Sequence, residues 1–564
     1  DTHHLENANR ALMAAIDLIE EAQFGYKAQG SIATLREDAY PIFEQALWVT
    51  YELHEQANAN GYMDQALAVA ERNKATLLVA ALNESRASSF AGIPADQLEL
   101  ENQLKRDLTF YEQKDADLRE QGGSENEQTE IQATLFRLKT KYDSLIAAFE
   151  ENYPDYYALK FSRDVVNVSQ IREELLDDND LLIEYHMGDE HLYIFAVGRN
   201  TEHFIRNPIG PGFLPEIQRI RDNLTERPSG DNDFAKVSHR LYKKLLEPLE
   251  GALIGKDLLI IPDDVIGLVP FEVLTKREGR TDYLIIEHSV TYGYSATFLS
   301  QALNTSNGYS DQFLAFAPDF SDRSDEPLLT ASAGRDGNSA SLAPLLGARE
   351  EVEALSSAFP GDFREGSDAL ESTFKQSAAN YGIIHLATHA IIDNVNPMNS
   401  RLLFTRSGDS LEDGNLHAWE LLGMKLNAQL VVLSACNTGT GKIQKGEGVL
   451  SLGRAFAFAG CPSNLMSLWP AQDASTAKIM KAFYSNLSAG MRKDQALRSA
   501  KLDYLMQSED FVRHPYYWAG FILQGDSSPL ALPKKSYLSV IILSALALIV
   551  LGYWVMKKPG SHSS

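Results

Sequence analysis

Two reactive side chains each end an apolar run. His389 closes IIHLATH (383–389), and Cys436 closes VVLSAC (431–436). A thiol attacks a carbonyl as its thiolate, and a histidine within hydrogen-bond reach can take the proton. The segment after Cys436, NTGTGKIQKGEG (437–448), is rich in glycine, and its backbone N–H groups could cradle the oxyanion of an attacked carbonyl. That chemistry requires no metal and no organic cofactor. Plainer readings exist for both residues. A cysteine in an apolar strand is commonly a small core residue, and a histidine at a strand end is commonly structural. His385 and His389 stand four apart, a ligand spacing on a helix, but on a strand the rise alone separates them by more than about 10 Å. A zinc pair is therefore not expected, and no cysteine or histidine cluster has zinc-site spacing.

The elements around these residues must bring them together. DQFLAFAPDF, GIIHLAT, AQLVVLSAC and PSNLMSLWP read as strands, and helical segments such as LGAREEVEALSSAF and DASTAKIMKAFYSNLSAG alternate with them. GVLSLGRAFAFAG (448–460) reads as one helix, and YYWAGFILQGD as a closing strand. Strand–helix alternation predicts an α/β sandwich with a mostly parallel sheet, whose sites lie beyond the carboxyl ends of strands. His389 and Cys436 sit just past two such ends. If the two strands are neighbours, both side chains reach one rim.

An earlier α/β stretch precedes this one. LLIEYHMGD and HLYIFAVGR form a hairpin around a Gly-Asp turn, and KDLLIIPDD is a strand covered on both faces. Residues 1–160 are helical. AYPIFEQALWVTYELHEQAN (39–58) and MDQALAVAERNKATLLVAAL (63–82) carry apolar residues at three- and four-residue steps, joined by the turn ANGY. Stacked pairs of this kind suggest a TPR-like solenoid. A longer hairpin follows, broken at GGSENE (122–127). The predicted organisation is a helical region at 1–160 and an α/β region at 161–530, in halves 161–308 and 309–530.

The last feature is LSVIILSALALIVLGYWVM (538–556), which carries no charge. As a helix it would be about 28 Å long, enough to span a bilayer core. Lysines flank it on both sides, so its orientation is undecided. A single-pass tail anchor at 537–556 is expected. The start, DTHHLENANR, has neither an initiator methionine nor an apolar signal core, and reads as an excised or processed end.

Composition excludes several classes. A chain of 564 residues is too long for one core. The net charge of −26 argues against a nucleic-acid partner. Two cysteines, Cys436 and Cys461, exclude a disulfide scaffold and point to a reducing compartment.

From about 165 to 527 the chain resembles the CHAT family, caspase-like domains associated with TPR repeats, within the group of caspases, metacaspases, separase, legumain and gingipains. LYIFAV, LYKKLLEPLEGAL and LLIIPDDVIGLVPFEVL resemble the family's non-catalytic half. HLATHA resembles its histidine motif and VVLSACNTGTG its cysteine motif. GEGVLSLGRAFAFAGCPSNLMSLWPAQDASTAKIMKAFY and HPYYWAGFILQGD resemble its closing signature, and ALAVAERNKATLLVAAL the last helical repeat before it.

The resemblance implies a cysteine endopeptidase acting on a protein substrate, with Cys436 as nucleophile and His389 as base. The backbone N–H groups of Ala390 and Cys436 would form the oxyanion hole. Ala390 departs from the glycine common at that place in relatives. Asn437 would shape the pocket, and Cys461 would be a buried structural thiol. Many relatives prefer a basic residue before the scissile bond, for which Asp393, Glu447 and Asp473 are the acidic candidates. The helical region would bind a regulatory protein or ligand, in bacterial defence or signalling at a membrane, with the catalytic domain cytoplasmic. The alternative is a non-catalytic scaffold that assembles partners.

Overall fold

The computed structural model describes residues 2–530, apart from 24–28, 58–60, 91–92, 122–123, 161, 227–232, 280, 305–307, 324–344, 407–411 and 471–472. The apolar run at 538–556 lies outside them. Among the described residues no helix is long and apolar enough to cross a membrane.

Six helices open the chain: α1 Thr2–Gln23, α2 Gln29–Ala57, α3 Gly61–Arg72, α4 Thr76–Phe90, α5 Ala95–Gln121 and α6 Glu125–Asn152. The stretch 63–82, predicted as one helix, is two. The break at Asn73–Ala75 carries Ala75 at φ 51°, a left-handed conformation. Buried partners hold it there. Lys74 donates to the Glu184 carboxylate at 2.9 Å and to the Tyr185 carbonyl at 2.6 Å. The Glu71 carboxylate accepts from the N–H groups of Ala296 and Thr297 at 2.9 and 2.6 Å, at the start of the helix Ala296–Leu303. In the second hairpin, Ser124 caps α6 with a reciprocal Ser124–Glu127 capping box, so the helix begins inside the stretch predicted as the break.

Eleven strands make one sheet. The first eight in chain order are β1 Asp180–Met187, β2 His191–Gly198, β3 Glu202–Pro208, β4 Asp257–Ile261, β5 Val290–Tyr292, β6 Phe313–Pro318, β7 Gly361–Gly366 and β8 Ile383–Ala387. After β8 come the short strands β9 Ala390–Ile391, β10 Arg401–Leu403 and β11 Asn415–His417, which form a separate three-stranded sheet. Then follow β12 Leu430–Ser434, the two-stranded hairpin β13 Gly441–Gln444 and β14 Gly448–Ser451, and finally β15 Ser463–Ser467 and β16 Phe521–Gly525. The order in the large sheet is β3-β2-β1-β4-β5-β16-β15-β12-β8-β6-β7. Within β1-β4-β5-β16, and again within β15-β12-β8-β6-β7, neighbours are parallel. The two groups meet at the antiparallel pair β15–β16. A mostly parallel α/β sheet after a helical region is therefore the observed architecture.

β1 is buried at every residue. Its Leu181, Ile183 and Tyr185 face a core shared with Ile217, Ile220, Val237 and Leu241 of the following helices. Its Leu182 faces Phe43, Leu47 and Leu67 of α2 and α3. Both faces are covered, which is why the strand reads as a continuous apolar run. The first three helices thus form part of one of the two layers over the sheet.

Candidate active site

β8 and β12 are adjacent and parallel, in register from Ile383–Leu430 to Ala387–Ser434. His389 lies two residues beyond Ala387, and Cys436 two residues beyond Ser434. The residues the sequence singles out therefore leave neighbouring strands at the same level of the same carboxyl edge, and both are half-buried. Adjacent strands lie about 4.8 Å apart, so the two backbones leave the sheet within side-chain reach of one another.

The chain pins each residue after it leaves the sheet. Beyond β8 the Thr388 hydroxyl donates to the Leu403 carbonyl, and the Leu403 N–H donates to the His389 carbonyl at 3.0 Å. The His389 ring lies 4.7 Å from the Phe320 ring, centroid to centroid. Ala390 then pairs with Leu402. With Leu403 bonded to His389, the Ala390–Leu402 pair is the non-hydrogen-bonded kind, so the Ala390 N–H points away from β10.

Beyond β12 the chain turns sharply. Asn437 has φ 60°, a conformation asparagine tolerates better than most side chains. The hydroxyl of Ser467, at the end of β15, donates to the Ala435 carbonyl at 2.7 Å, and the Gly439 N–H donates to the Ser467 carbonyl at 2.8 Å. The Gly453 N–H donates to the Thr438 carbonyl at 3.1 Å, which fixes the turn to the helix Leu452–Phe458.

This corrects one expectation. The glycine-rich segment after Cys436 is not an open cradle. The N–H of Gly439 is spent on Ser467, that of Thr440 on the Asn437 carbonyl at 3.0 Å, and 441–451 folds as the β13–β14 hairpin. Gly441 is needed for that pairing, because a Cβ there would stand 2.0 Å from the Leu450 carbonyl oxygen. The segment predicted as a helix from 448 is accordingly strand to Ser451 and helix only from Leu452 to Phe458.

The pocket candidates separate. Asp393 caps its own turn, its Oδ1 accepting from the N–H groups of Val395 and Asn396 at 2.9 and 2.8 Å. Glu447 is buried, with its carboxylate paired to Arg454 and hydrogen-bonded to Thr76 and the Leu77 N–H. It serves as a clasp to α4 and not as a pocket floor. Asp473 begins the helix Asp473–Ser488, and its side chain lies outside the described residues.

His385 points elsewhere. It is fully buried, with Nδ1 3.0 Å from the Tyr484 hydroxyl and Nε2 3.2 Å from the Glu351 carboxylate. Burial pushes the Cys461 thiol far above its ordinary range, so it stays protonated. Among the described residues, Glu371, Glu412 and Glu420 form the one group close enough to hold a metal ion. The Lys375 ammonium already bridges all three, at 2.7, 2.6 and 2.5 Å.

A histidine and a cysteine thus end adjacent strands of a mostly parallel α/β sheet roofed by helices. A family model for the CHAT domain matches residues 235–526, just over half of the chain, and the chain belongs to that family. Tetratricopeptide repeat protein 28 of Homo sapiens is 26% identical over 372 residues, covering 57% of this chain and 14% of that protein. The Mus musculus protein matches over the same extent, so the chain spans about a seventh of the length of these relatives. Among solved structures, the Saccharomyces cerevisiae separase–securin complex overlaps with a TM-score of 0.39 and 10% identity, over 90% of this chain and 45% of that one. The Arg-specific cysteine proteinase gingipain R overlaps with a TM-score of 0.35 and 9% identity, over 56% of this chain and 76% of that one.

Proposed function

We propose that this chain is a cysteine endopeptidase of caspase-like type. Cys436 gives its proton to His389 and attacks the carbonyl carbon of a peptide bond. His389 returns the proton to the departing amine. Water, deprotonated by the same imidazole, then hydrolyses the thioester and regenerates the thiol. The N–H groups of Ala390 and Cys436 face the oxyanion. The observation that carries the reading is the equal offset of His389 and Cys436 beyond the paired residues Ala387 and Ser434.

The substrate is a dedicated protein partner, and the helical region is where a regulator acts. The clasp of Thr76 and Leu77 on Glu447 supports that regulatory route, because the hairpin it holds begins five residues after Cys436. A preference for a basic residue before the scissile bond rests on Asp473, since Asp393 and Glu447 are otherwise engaged. The run at 538–556 anchors the enzyme with its catalytic domain on the cytoplasmic side, in a bacterial defence or signalling role.

The test is labelling by a thiol-reactive peptide probe. Labelling that persists in Cys461→Ser and is lost in Cys436→Ala and His389→Ala supports the peptidase. A Cys436 that stays unreactive in the presence of the native regulator favours the scaffold.

A further inference from the structure

We infer that Phe320 is a positioning residue for the peptidase reaction: its ring is the wall against which the His389 imidazole is set. The inference rests on the peptidase reading. A histidine side chain turns about two torsions, and a general base must be held to within about 0.5 Å of its productive place. The Phe320 ring stands 4.7 Å from the imidazole at a tilt of 56°, within the range of favourable ring pairs. At that distance it blocks the rotations that would carry the imidazole toward it and keeps water from that face.

The wall is itself fixed. Phe320 is 2% exposed and packs on Ile391 of β9 and Leu403 of β10. The segment carrying it is tied at both ends. Just before the ring, the Asp319 N–H donates to the Thr405 hydroxyl at 2.9 Å, and that hydroxyl donates to the Gly366 carbonyl at 2.7 Å. Three residues after it, the buried Arg323 guanidinium donates to the carbonyls of Gly414 at 2.6 Å and Phe404 at 3.0 Å, and to the Asn415 side chain at 2.9 Å. Thr405, Phe404, Gly414 and Asn415 lie on or beside β10 and β11, and Gly366 ends β7 of the large sheet. The same small sheet holds the His389 carbonyl through Leu403. The segment that carries the ring and the backbone that carries the imidazole are therefore both tied to the small sheet.

The experiment uses the full chain with [ε1-13C]histidine and has two readouts. One is the His389 ring resonance, identified by its loss in His389→Gln. The other is the rate at which iodoacetamide alkylates Cys436, followed by mass spectrometry. Phe320→Leu keeps an apolar side chain at the site and removes the ring. It is expected to shift the His389 resonance and to slow Cys436 alkylation about 10-fold or more. Phe320→Tyr restores both. Ile391→Val loosens the same apolar cluster but keeps the ring, and is expected to slow alkylation less than Phe320→Leu does; an equal slowing overturns the proposal. A Phe320→Leu rate equal to that of the unaltered chain overturns the proposal, as does an unmoved resonance. If His389→Gln alkylates as fast as the unaltered chain, the peptidase reading falls and the proposal with it. The two failures are told apart by the His389→Gln rate.

Discussion

Thr76 and Glu447 stand 371 positions apart in the chain and meet through a 2.5 Å hydrogen bond. Beside it the Ala75 N–H donates to the Gly446 carbonyl at 2.8 Å. Gly446 has φ 79°, and a Cβ there would lie 2.7 Å from the Asn73 carbonyl oxygen. The break between α3 and α4 and the tip of the β13–β14 hairpin are shaped to each other.

That clasp is cooperative. Glu447→Ala leaves the buried Arg454 guanidinium without its carboxylate, a loss of about 3–5 kcal/mol. Thr76→Val removes one hydrogen bond, about 1 kcal/mol. Because both act on one carboxylate, the double variant is expected to cost less than the sum. Urea unfolding checks this, with hydrogen exchange at the Ala75 amide as a local probe. Additive losses with an unchanged Ala75 amide would dismiss the clasp.

Asn437 makes the turn after Cys436 at φ 60°. Glycine takes that conformation freely, whereas a β-branched side chain resists it by about 1–2 kcal/mol. Asn437→Gly should keep both stability and Cys436 reactivity. Asn437→Val should lower the urea midpoint and slow alkylation of Cys436, since relief of the strain swings the thiol. Equal behaviour of the two variants would contradict the argument.

The two thiols should part cleanly. Cys461 is fully buried and held protonated, while Cys436 is half-buried at the sheet edge. Native protein treated with iodoacetamide is expected to carry one adduct, on Cys436, with Cys461 modified only after unfolding. Mass spectrometry of the digested protein decides it, and native modification of Cys461 would refute it.

The sheet strands around the site were legible because burial on both faces leaves continuous apolar runs, as in IIHLA and LVVLS. The common carboxyl edge that His389 and Cys436 share was legible because both runs stop at a reactive side chain, and their strands β8 and β12 are neighbours. The small sheet β9–β11 was not, since its strands of two or three residues carry too little periodicity to register. The β13–β14 hairpin was hidden for another reason. Its glycines suggested an open loop, whereas Gly441 and Gly446 are there to let backbones approach. Glu447 looked like a site residue in the sequence because nothing local reveals that α4 takes its carboxylate. Phe320 gave no signal at all: an aromatic after a strand end is unremarkable until its neighbour proves to be His389.

His186 gives the pH dependence. It is 1% exposed, stacked on Tyr40 at 5.0 Å, with Nδ1 3.8 Å from the Asp263 carboxylate. Burial pushes its pKa down to about 4; Asp263 opposes that shift, and Lys74 and Lys445 add to it. The unfolded chain binds a proton here below about pH 6.5. Between that pH and about 4 the folded chain does not, so stability is full above the window and falls as pH drops through it. The contribution is about 3 kcal/mol over the whole window. His186→Phe keeps a ring on Tyr40 and removes the titration. His514, also pushed down to about 4 by burial, is present in both proteins and cancels in the comparison. The urea midpoint of the unaltered chain should therefore fall more steeply between pH 7 and pH 4.5 than that of the variant. Parallel curves would mean that His186 takes its proton without resistance from the fold.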